Sequence, residues 1–350
     1  MRALIDCLER EHTLTEDEFT RLIENRTPEL DEYLFSRAGA VRKSVYGDEV
    51  YIRGLIEFTN YCRNDCLYCG IRRSNGNAER YRLTREEILA CCEQGYALGF
   101  RTFVLQGGED AGFSDGEVAR VVNDIKTRYP DCAVTLSIGE RPEAVYRMWF
   151  GAGADRYLLR HETADCAHYA RLHPPELSAS SRQRCLYSLR EIGYQVGTGF
   201  MVGSPYQTAR NLAQDMCFIH KLQPHMVGIG PFVPHHDTPF ASCPAGTADL
   251  TLFMLGLLRL MLPGALLPAT TALGTIETDG RERGMRAGAT VVMPNLSPLA
   301  VRKKYMLYDN KISTGDEAAE SVRHLTQSMA RAGFRVVVSR GDSRIGCMRA

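Results

Sequence analysis

Tyr51-Ile52-Arg53-Gly54-Leu55-Ile56-Glu57-Phe58-Thr59 leads without interruption into Asn60-Tyr61-Cys62-Arg63-Asn64-Asp65-Cys66-Leu67-Tyr68-Cys69-Gly70. The first nine residues are rich in β-branched and aromatic side chains and read as a strand. The next eleven carry three thiols at the spacing C-x3-C-x2-C. A strand that delivers three cysteines into the loop at its C-terminal end places them at the reactive face of an α/β barrel. Three thiolates ligate three irons of a [4Fe-4S] cluster and leave the fourth open to a small molecule, whereas four protein ligands suit plain electron transfer. Zinc is the competing metal. A structural zinc takes four ligands, usually as two separated pairs, and no neighbouring Cys or His completes such a set here.

Outward from this loop the pattern repeats. Strands are expected at residues 101–106, 133–138, 155–160, 195–202, 226–230, 266–270 and 289–293, with helices between them. Thr84-Arg85-Glu86-Glu87 has the form of a capping box that starts one such helix. Eight alternating strand–helix units give a complete (β/α)8 TIM barrel. Thr15-Glu16-Asp17-Glu18 caps an earlier helix, and residues 28–39 form another. The domain plan is an N-terminal helical extension at 1–48, the barrel at 49–310, and a C-terminal helix (about 316–332) and tail at 311–350.

The chain has 350 residues, enough for a barrel of about 250 with extensions. Forty-two basic and 42 acidic residues give no net charge, which argues against a broad nucleic-acid or anionic-membrane surface. No stretch approaches the roughly 18 apolar residues of a membrane span; 250–262 comes nearest, and Arg259 interrupts it. The start has no long apolar h-region. Twelve cysteines in a chain this long are too sparse for a disulfide scaffold and suit a reducing cytoplasm.

The ends of barrel strands select the other site candidates. Gly107 and Gly108, ahead of Glu109, let the backbone approach a ligand closely; a plain βα turn is the alternative. Ser137 and Glu140 bracket the next strand end. Arg160 and Glu162 flank His161, and an internal salt-bridge network would suit them as well as ligand binding. Arg182 is read as heading a helix. Thr270 and Thr271 end the seventh strand. Tyr305 and Tyr308, three apart, would share one face of a helical turn. His235 and His236 invite a metal, but adjacent side chains are expected to diverge, so they are read as a satisfied loop pair.

The cysteine spacing, with Tyr68 and Gly70 around the last thiol, resembles the radical S-adenosylmethionine (SAM) superfamily. Ile56–Asn60, Cys66–Gly70, Leu105–Asp110, Arg160–Ala164, Gly228–His235 and Pro268–Ala272 are more closely similar to the HydE family of [FeFe]-hydrogenase maturases. Biotin synthase and the methylornithine synthase PylB look like more distant relatives. The resemblance implies that Cys62, Cys66 and Cys69 ligate a [4Fe-4S] cluster. It further implies that Tyr68, Gly107, Gly108, Glu109, Ser137, Glu140, Arg160, Glu162 and Arg182 surround SAM. Arg160, Thr270, Thr271, Tyr305 and Tyr308 would line the substrate cavity. The implied reaction is reductive SAM cleavage to a 5′-deoxyadenosyl radical that attacks an iron–cysteine complex bearing CO and cyanide. A low-potential electron donor and HydG-like and HydF-like maturases are the implied partners. Some relatives carry a second cysteine trio near the C-terminus. Here residues 308–315 contain no cysteine and Cys347 stands alone, which implies one cluster and no accessory one. A radical SAM mutase or sulfur-inserting enzyme on an amino-acid-like substrate is the alternative in the same class. A zinc-stabilised assembly scaffold is the alternative outside it.

Overall fold

The computed structural model describes residues 1–312 and 318–345. Its strands are β1 (Glu49–Ile52), β2 (Gly54–Thr59), β3 (Thr102–Gly107), β4 (Ala133–Ser137), β5 (Arg156–Leu158), β6 (Gln195–Thr198), β7 (Met201–Val202), β8 (Met226–Val227), β9 (Gly230–Pro231), β10 (Val291–Val292) and β11 (Arg335–Val337). A six-stranded parallel sheet in the order β2-β3-β4-β5-β6-β8 forms the core, flanked by helices. β1 lies between β10 and β11 in a second parallel sheet, and β7 pairs with β9. This is an α/β fold with a partial parallel sheet.

Local chemistry sets the helices between the strands. Thr15, Thr84 and Ser114 each accept from the backbone of a glutamate three residues on, and that glutamate reaches back, giving three complete capping boxes. In the helix Asp115–Arg128, Val118, Val121, Val122 and Ile125 fall on one face and are buried. Two N-terminal helices dock on the outside. Glu16–Glu24 packs on Ala209–Leu222, and Pro28–Tyr46 packs on Ala248–Met261. Among the described residues no helix is long and apolar enough to cross a membrane.

Several elements differ from the sequence reading. The strand expected at 51–59 is two strands in two sheets, because the backbone changes partners at Arg53, whose N–H donates to Val292 O (3.0 Å). Residues 195–202 also break. A Cβ on Gly199 would lie 1.9 Å from the Gly228 carbonyl oxygen, so two chains cross there too closely for a regular ladder. The seventh expected strand, 266–270, makes only the isolated parallel bridges Met226↔Leu266 and Pro268↔Val291, since Pro268 has no donor to give. A further isolated bridge joins Leu55 to Asn295. The helix expected to end at residue 39 continues to Tyr46. Its buried Arg42 donates to the carbonyls of Ala289 (2.9 Å) and Glu49 (2.7 Å), tying the extra turns to the sheet. The helices Arg2–Glu11 and Thr271–Ile276 and the strand β11 were not anticipated. The last helix runs Ala318–Arg331; residues 313–317 and Cys347 lie outside the described part.

Candidate active site

β2 is buried along its whole length and ends at Thr59, so the cysteine loop begins at a fixed point. The loop is then cross-tied. Asp65 accepts a two-pronged bond from Arg72 (2.7 Å each) and further bonds from the Ser74 backbone and hydroxyl. Asn60, fully buried, donates to the carbonyls of Glu79 and Lys304 and accepts from the Tyr81 N–H. The Glu109 N–H donates to Cys62 Sγ (3.4 Å). The three cysteines carry no disulfide. Burial pushes the Cys66 thiol up to about 12. Burial also raises Cys69, and the charges of Cys66 and Cys62 raise it further, so the three sulfurs feel one another. Burial raises Cys62 against the opposing N–H groups of Asn64 and Glu109. Thiols this reluctant to ionise alone become thiolates once a cation arrives to pair with them.

Beside the loop lies a cavity of about 320 Å³. Cys66, Tyr68, Cys69, Ser137, Arg160 and Glu162 line it, together with Thr270, Thr271, Tyr305 and Tyr308. Several of these groups keep buried polar atoms with no hydrogen-bond partner among the described residues: Arg160 Nε and Nη2, Glu162 Oε2 and Thr270 Oγ1. Arg160 and Glu162 lie 3.2 Å apart without the alignment of a hydrogen bond. Glu162 also holds φ +66, a left-handed conformation uncommon for a side chain of this kind. Unsatisfied buried polar atoms and a strained backbone at one cavity wall mark a place built for a polar ligand.

Five other expected site residues, Gly107, Gly108, Glu109, Glu140 and Arg182, are not among the residues that line this cavity. Glu109 accepts from Arg63 (Nε, 3.0 Å) and from the Glu140 N–H (2.9 Å). Arg182 sits 3.2 Å from Glu140 and 3.9 Å from Glu109, and it is buried within the first turn of Ala179–Ile192. Its Nε and Nη1 have no hydrogen-bond partner among the described residues. Gly108 faces the cysteine loop, and Gly107 faces the end of β2. A Cβ on Gly108 would meet Tyr61 O at 2.2 Å and Cys62 Cβ at 2.7 Å, and one on Gly107 would meet Thr59 Cγ2 at 2.7 Å. The missing side chain of Gly108 makes room for the loop itself.

Tyr68 is positioned by an aromatic stack. His173 Nδ1 donates to the Tyr169 carbonyl (3.0 Å), so its Nε2 accepts from the Tyr68 hydroxyl (3.1 Å). The His173 ring stacks on Tyr169 at 3.8 Å and meets Tyr68 edge-on. Burial pushes His173 down to about 3, keeping it neutral.

Two local expectations are corrected. Tyr305 and Tyr308 do not share a helical turn, because the helix there is only Leu299–Arg302 and the chain then turns. They reach the cavity separately, Tyr305 with its hydroxyl 3.5 Å from Gln106 Nε2. His235 and His236 do not diverge. Their rings stack at 4.4 Å with an interplanar angle of 18°, beside Asp309. One ligand atom each from His235, His236 and Asp309 lie within 4.8 Å of one another, a spacing that could hold a metal ion. His236 Nδ1 lies 2.6 Å from an Asp309 carboxylate oxygen.

Sequence reasoning missed Glu57, Gln106 and Lys311, all of which line the cavity. Glu57 and Gln106 are register partners on β2 and β3. A carboxylate inside an apolar strand was the available signal. Lys311 lies just past the expected barrel boundary and pairs with Glu57.

A family profile described as the radical SAM superfamily matches residues 56–219. The chain is 45% identical over 316 residues to the [FeFe] hydrogenase maturase subunit HydE of Thermotoga maritima, spanning 89% of this chain and 88% of that protein. It is 27% identical over 317 residues to the 3-methylornithine synthase of Methanosarcina acetivorans, spanning 88% and 87%. The crystal structure of methylornithine synthase (PylB) matches with a TM-score of 0.83 at 25% identity, covering 95% of this chain and 97% of that one. Fold, cysteine loop and matches together define a radical SAM enzyme. Within that superfamily the chain belongs to the HydE family of hydrogenase maturases. Membership implies use of SAM and a [4Fe-4S] cluster, and the zinc-scaffold alternative falls away.

Proposed function

We propose that Cys62, Cys66 and Cys69 hold one [4Fe-4S] cluster, and that the chain acts on an iron–cysteine precursor carrying CO and cyanide during assembly of a diiron site. The observation that carries this is the 320 Å³ cavity beside the loop, with orphaned polar atoms on Arg160, Glu162 and Thr270, in a chain 45% identical to a HydE. The residues fit the cofactors. Three thiols share one pre-tied loop, and the ion-paired Arg160 and Glu162 line the same cavity with atoms that have no hydrogen-bond partner among the described residues. When bound, the cluster supplies the electron that splits the SAM sulfonium into methionine and a 5′-deoxyadenosyl radical.

The protein's part is placement. Glu162 accepts from hydroxyl or ammonium groups of SAM, and Arg160 pairs with a carboxylate, where a guanidinium fork is well matched. Ser137 and Tyr68 line the same cavity, while Glu109, Glu140 and Arg182 form an ion-pair cluster outside its lining. Thr270, Thr271, Tyr305 and Tyr308 orient the substrate further in and keep water away from the radical. The bridges at Leu266, Pro268 and Asn295 support completion of the sheet into an eight-stranded barrel around this space. A low-potential donor in a reducing cytoplasm, and transient contact with HydG-like and HydF-like maturases, complete the setting.

The test is an anaerobic single turnover with reconstituted protein, SAM, dithionite and the iron–cysteine complex, followed by electron paramagnetic resonance and mass spectrometry. A paramagnetic iron species bearing the adenosyl group, formed only with the complex, is the expected result. About four irons per chain are expected after reconstitution; close to eight would overturn the single-cluster assignment. Slow cleavage to 5′-deoxyadenosine, unchanged by the complex, would favour a mutase acting on an amino acid, the reading supported by the likeness to methylornithine synthase.

A further inference from the structure

The arginines around the cysteine loop divide by what they face. Arg63 bonds the buried carboxylate of Glu109 (2.9 Å), Arg72 bonds Asp65 (2.7 Å), and Arg82 bonds Asp110 (2.6 Å). Arg73 lies 3.9 Å from Glu176. Arg80 is different. Its Nη1 donates to the carbonyls of Asn60 (2.5 Å) and Ile71 (2.8 Å), and its Nη2 to those of Arg72 (2.6 Å) and Asn75 (3.1 Å). All four acceptors are neutral main-chain groups. Among the described residues Arg80 makes no ion pair with a carboxylate.

The placement of the acceptors matters as much as their number. Asn60 precedes Cys62, while Ile71, Arg72 and Asn75 follow Cys69. One planar fork therefore ties the entry of the cysteine loop to its exit. The exit is secured a second time by Asn75, whose side-chain amide donates to the Gly70 carbonyl (2.7 Å). A rigid guanidinium can meet four carbonyls arranged around it; an ammonium has three donors at one point and cannot reproduce the fork.

We propose that Arg80 is a positioning residue of the cluster site with two effects: it closes the cysteine loop in its ligating shape before metal arrives, and its unneutralised charge favours the reduced state of the cluster. This deepens the radical SAM assignment and rests on it. One electron passes from a low-potential donor to the cluster, so the donor is oxidised and the loop's contents become more negative by one charge. A fixed cation whose hydrogen bonds all go to neutral acceptors favours that state. Net charge and nearby hydrogen bonding are established determinants of cluster potential. A carboxylate beside Arg80, as beside each of Arg63, Arg72, Arg73 and Arg82, would cancel the effect.

The experiment compares wild type with Arg80→Lys and Arg80→Met under anaerobic conditions, with circular dichroism to check folding. In the metal-free proteins, alkylation of individual cysteines is timed by peptide mass mapping. Cys62 and Cys69 should react several-fold faster in both variants, and Cys217, on the outer helix Ala209–Leu222, should not change. In the reconstituted proteins, redox titration followed by electron paramagnetic resonance should place the Arg80→Met midpoint below wild type and Arg80→Lys close to it. If Arg80→Met does not fold, Arg80→Gln, which keeps donors but no charge, carries the same two readouts. A neutral variant with wild-type midpoint and wild-type alkylation overturns the proposal. An Arg80→Lys midpoint lowered as far as that of Arg80→Met overturns the charge effect. Failure of the wild type itself to take up iron would instead overturn the radical SAM assignment.

Discussion

The Glu162 carboxylate lies 3.2 Å from the Arg160 guanidinium, yet the two are not aligned as a hydrogen bond, and Glu162 occupies the left-handed region at φ +66. A buried carboxylate held in a strained conformation, with an ion pair but no hydrogen bond on Oε2, is maintained by its surroundings for something else to bind. Glu162→Gly removes the carboxylate and accepts the backbone conformation without strain. Loss of a charged hydrogen bond is worth about 1.5–3 kcal/mol, so SAM affinity should fall by roughly ten- to a hundredfold. The relieved backbone strain, about 1 kcal/mol, is offset by the flexibility of glycine, about 0.5–1 kcal/mol, so the melting temperature should barely move. Calorimetric titration of SAM and a thermal melt measure both. Unchanged SAM affinity would show that Glu162 is not part of that site.

Gly108 offers a sharper steric test. An alanine there would drive its Cβ into Tyr61 O and Cys62 Cβ, whereas one at Gly76 would meet nothing within 4 Å. Gly108→Ala should lose most of its iron on reconstitution while Gly76→Ala loads normally. Backbone cannot yield as a flexible side chain does, so equal iron content in the two variants would contradict the packing described.

His173 gives a pH dependence with a definite sign. Burial holds it at about 3 in the folded protein, below the ordinary histidine value of about 6.5. The unfolded chain therefore takes up a proton as the pH drops through 6.5 and the folded chain does not until about 3. This contribution to stability is complete above 6.5 and is lost progressively on acidification, at no more than about 1.4 kcal/mol per pH unit. Burial also lowers His168 and His225, and they act in the same direction. Urea midpoints at pH 7 and pH 5 should separate less in His173→Gln than in wild type. An identical separation would mean that His173 is not buried in its neutral form.

Much of this site was legible because it is local. The cysteine spacing, the capping boxes and the polar ends of strands are patterns within a few residues. Arg160, Glu162, Thr270 and Tyr305 could be chosen from strand order alone. The rest depended on partners distant in sequence. Nothing around Arg53 shows that one extended run must serve two sheets. Nothing near Gly108 tells that its open side faces a cysteine loop rather than a ligand. The stacking of His235 on His236 follows from the turn between two prolines and from Asp309, and residue spacing does not reveal it. Arg80 looked like one more cation in a polar loop; only its acceptors distinguish it.

Glu57 and Lys311 form an ion pair that joins β2 to the segment beyond Tyr308, 254 residues apart. Glu57 is fully buried and its second oxygen accepts from Asn295 (2.8 Å), while Lys311 also donates to the Tyr305 carbonyl (2.8 Å). Removing one member of such a pair costs more than the pair itself contributes, because the other charge is stranded. Lys311→Met should destabilise the protein by about 3–5 kcal/mol, read as a lower urea midpoint. Glu57→Gln in the same chain should restore most of that loss, since a neutral amide needs no counter-ion and can still bond Asn295. The double-mutant cycle isolates the coupling from the individual effects. Because both side chains face the cavity, the rescued double variant also separates stability from substrate binding. If it folds as wild type and still processes substrate normally, the pair is a structural brace. If it folds but loses substrate-dependent turnover while still cleaving SAM, the pair belongs to the substrate end of the cavity.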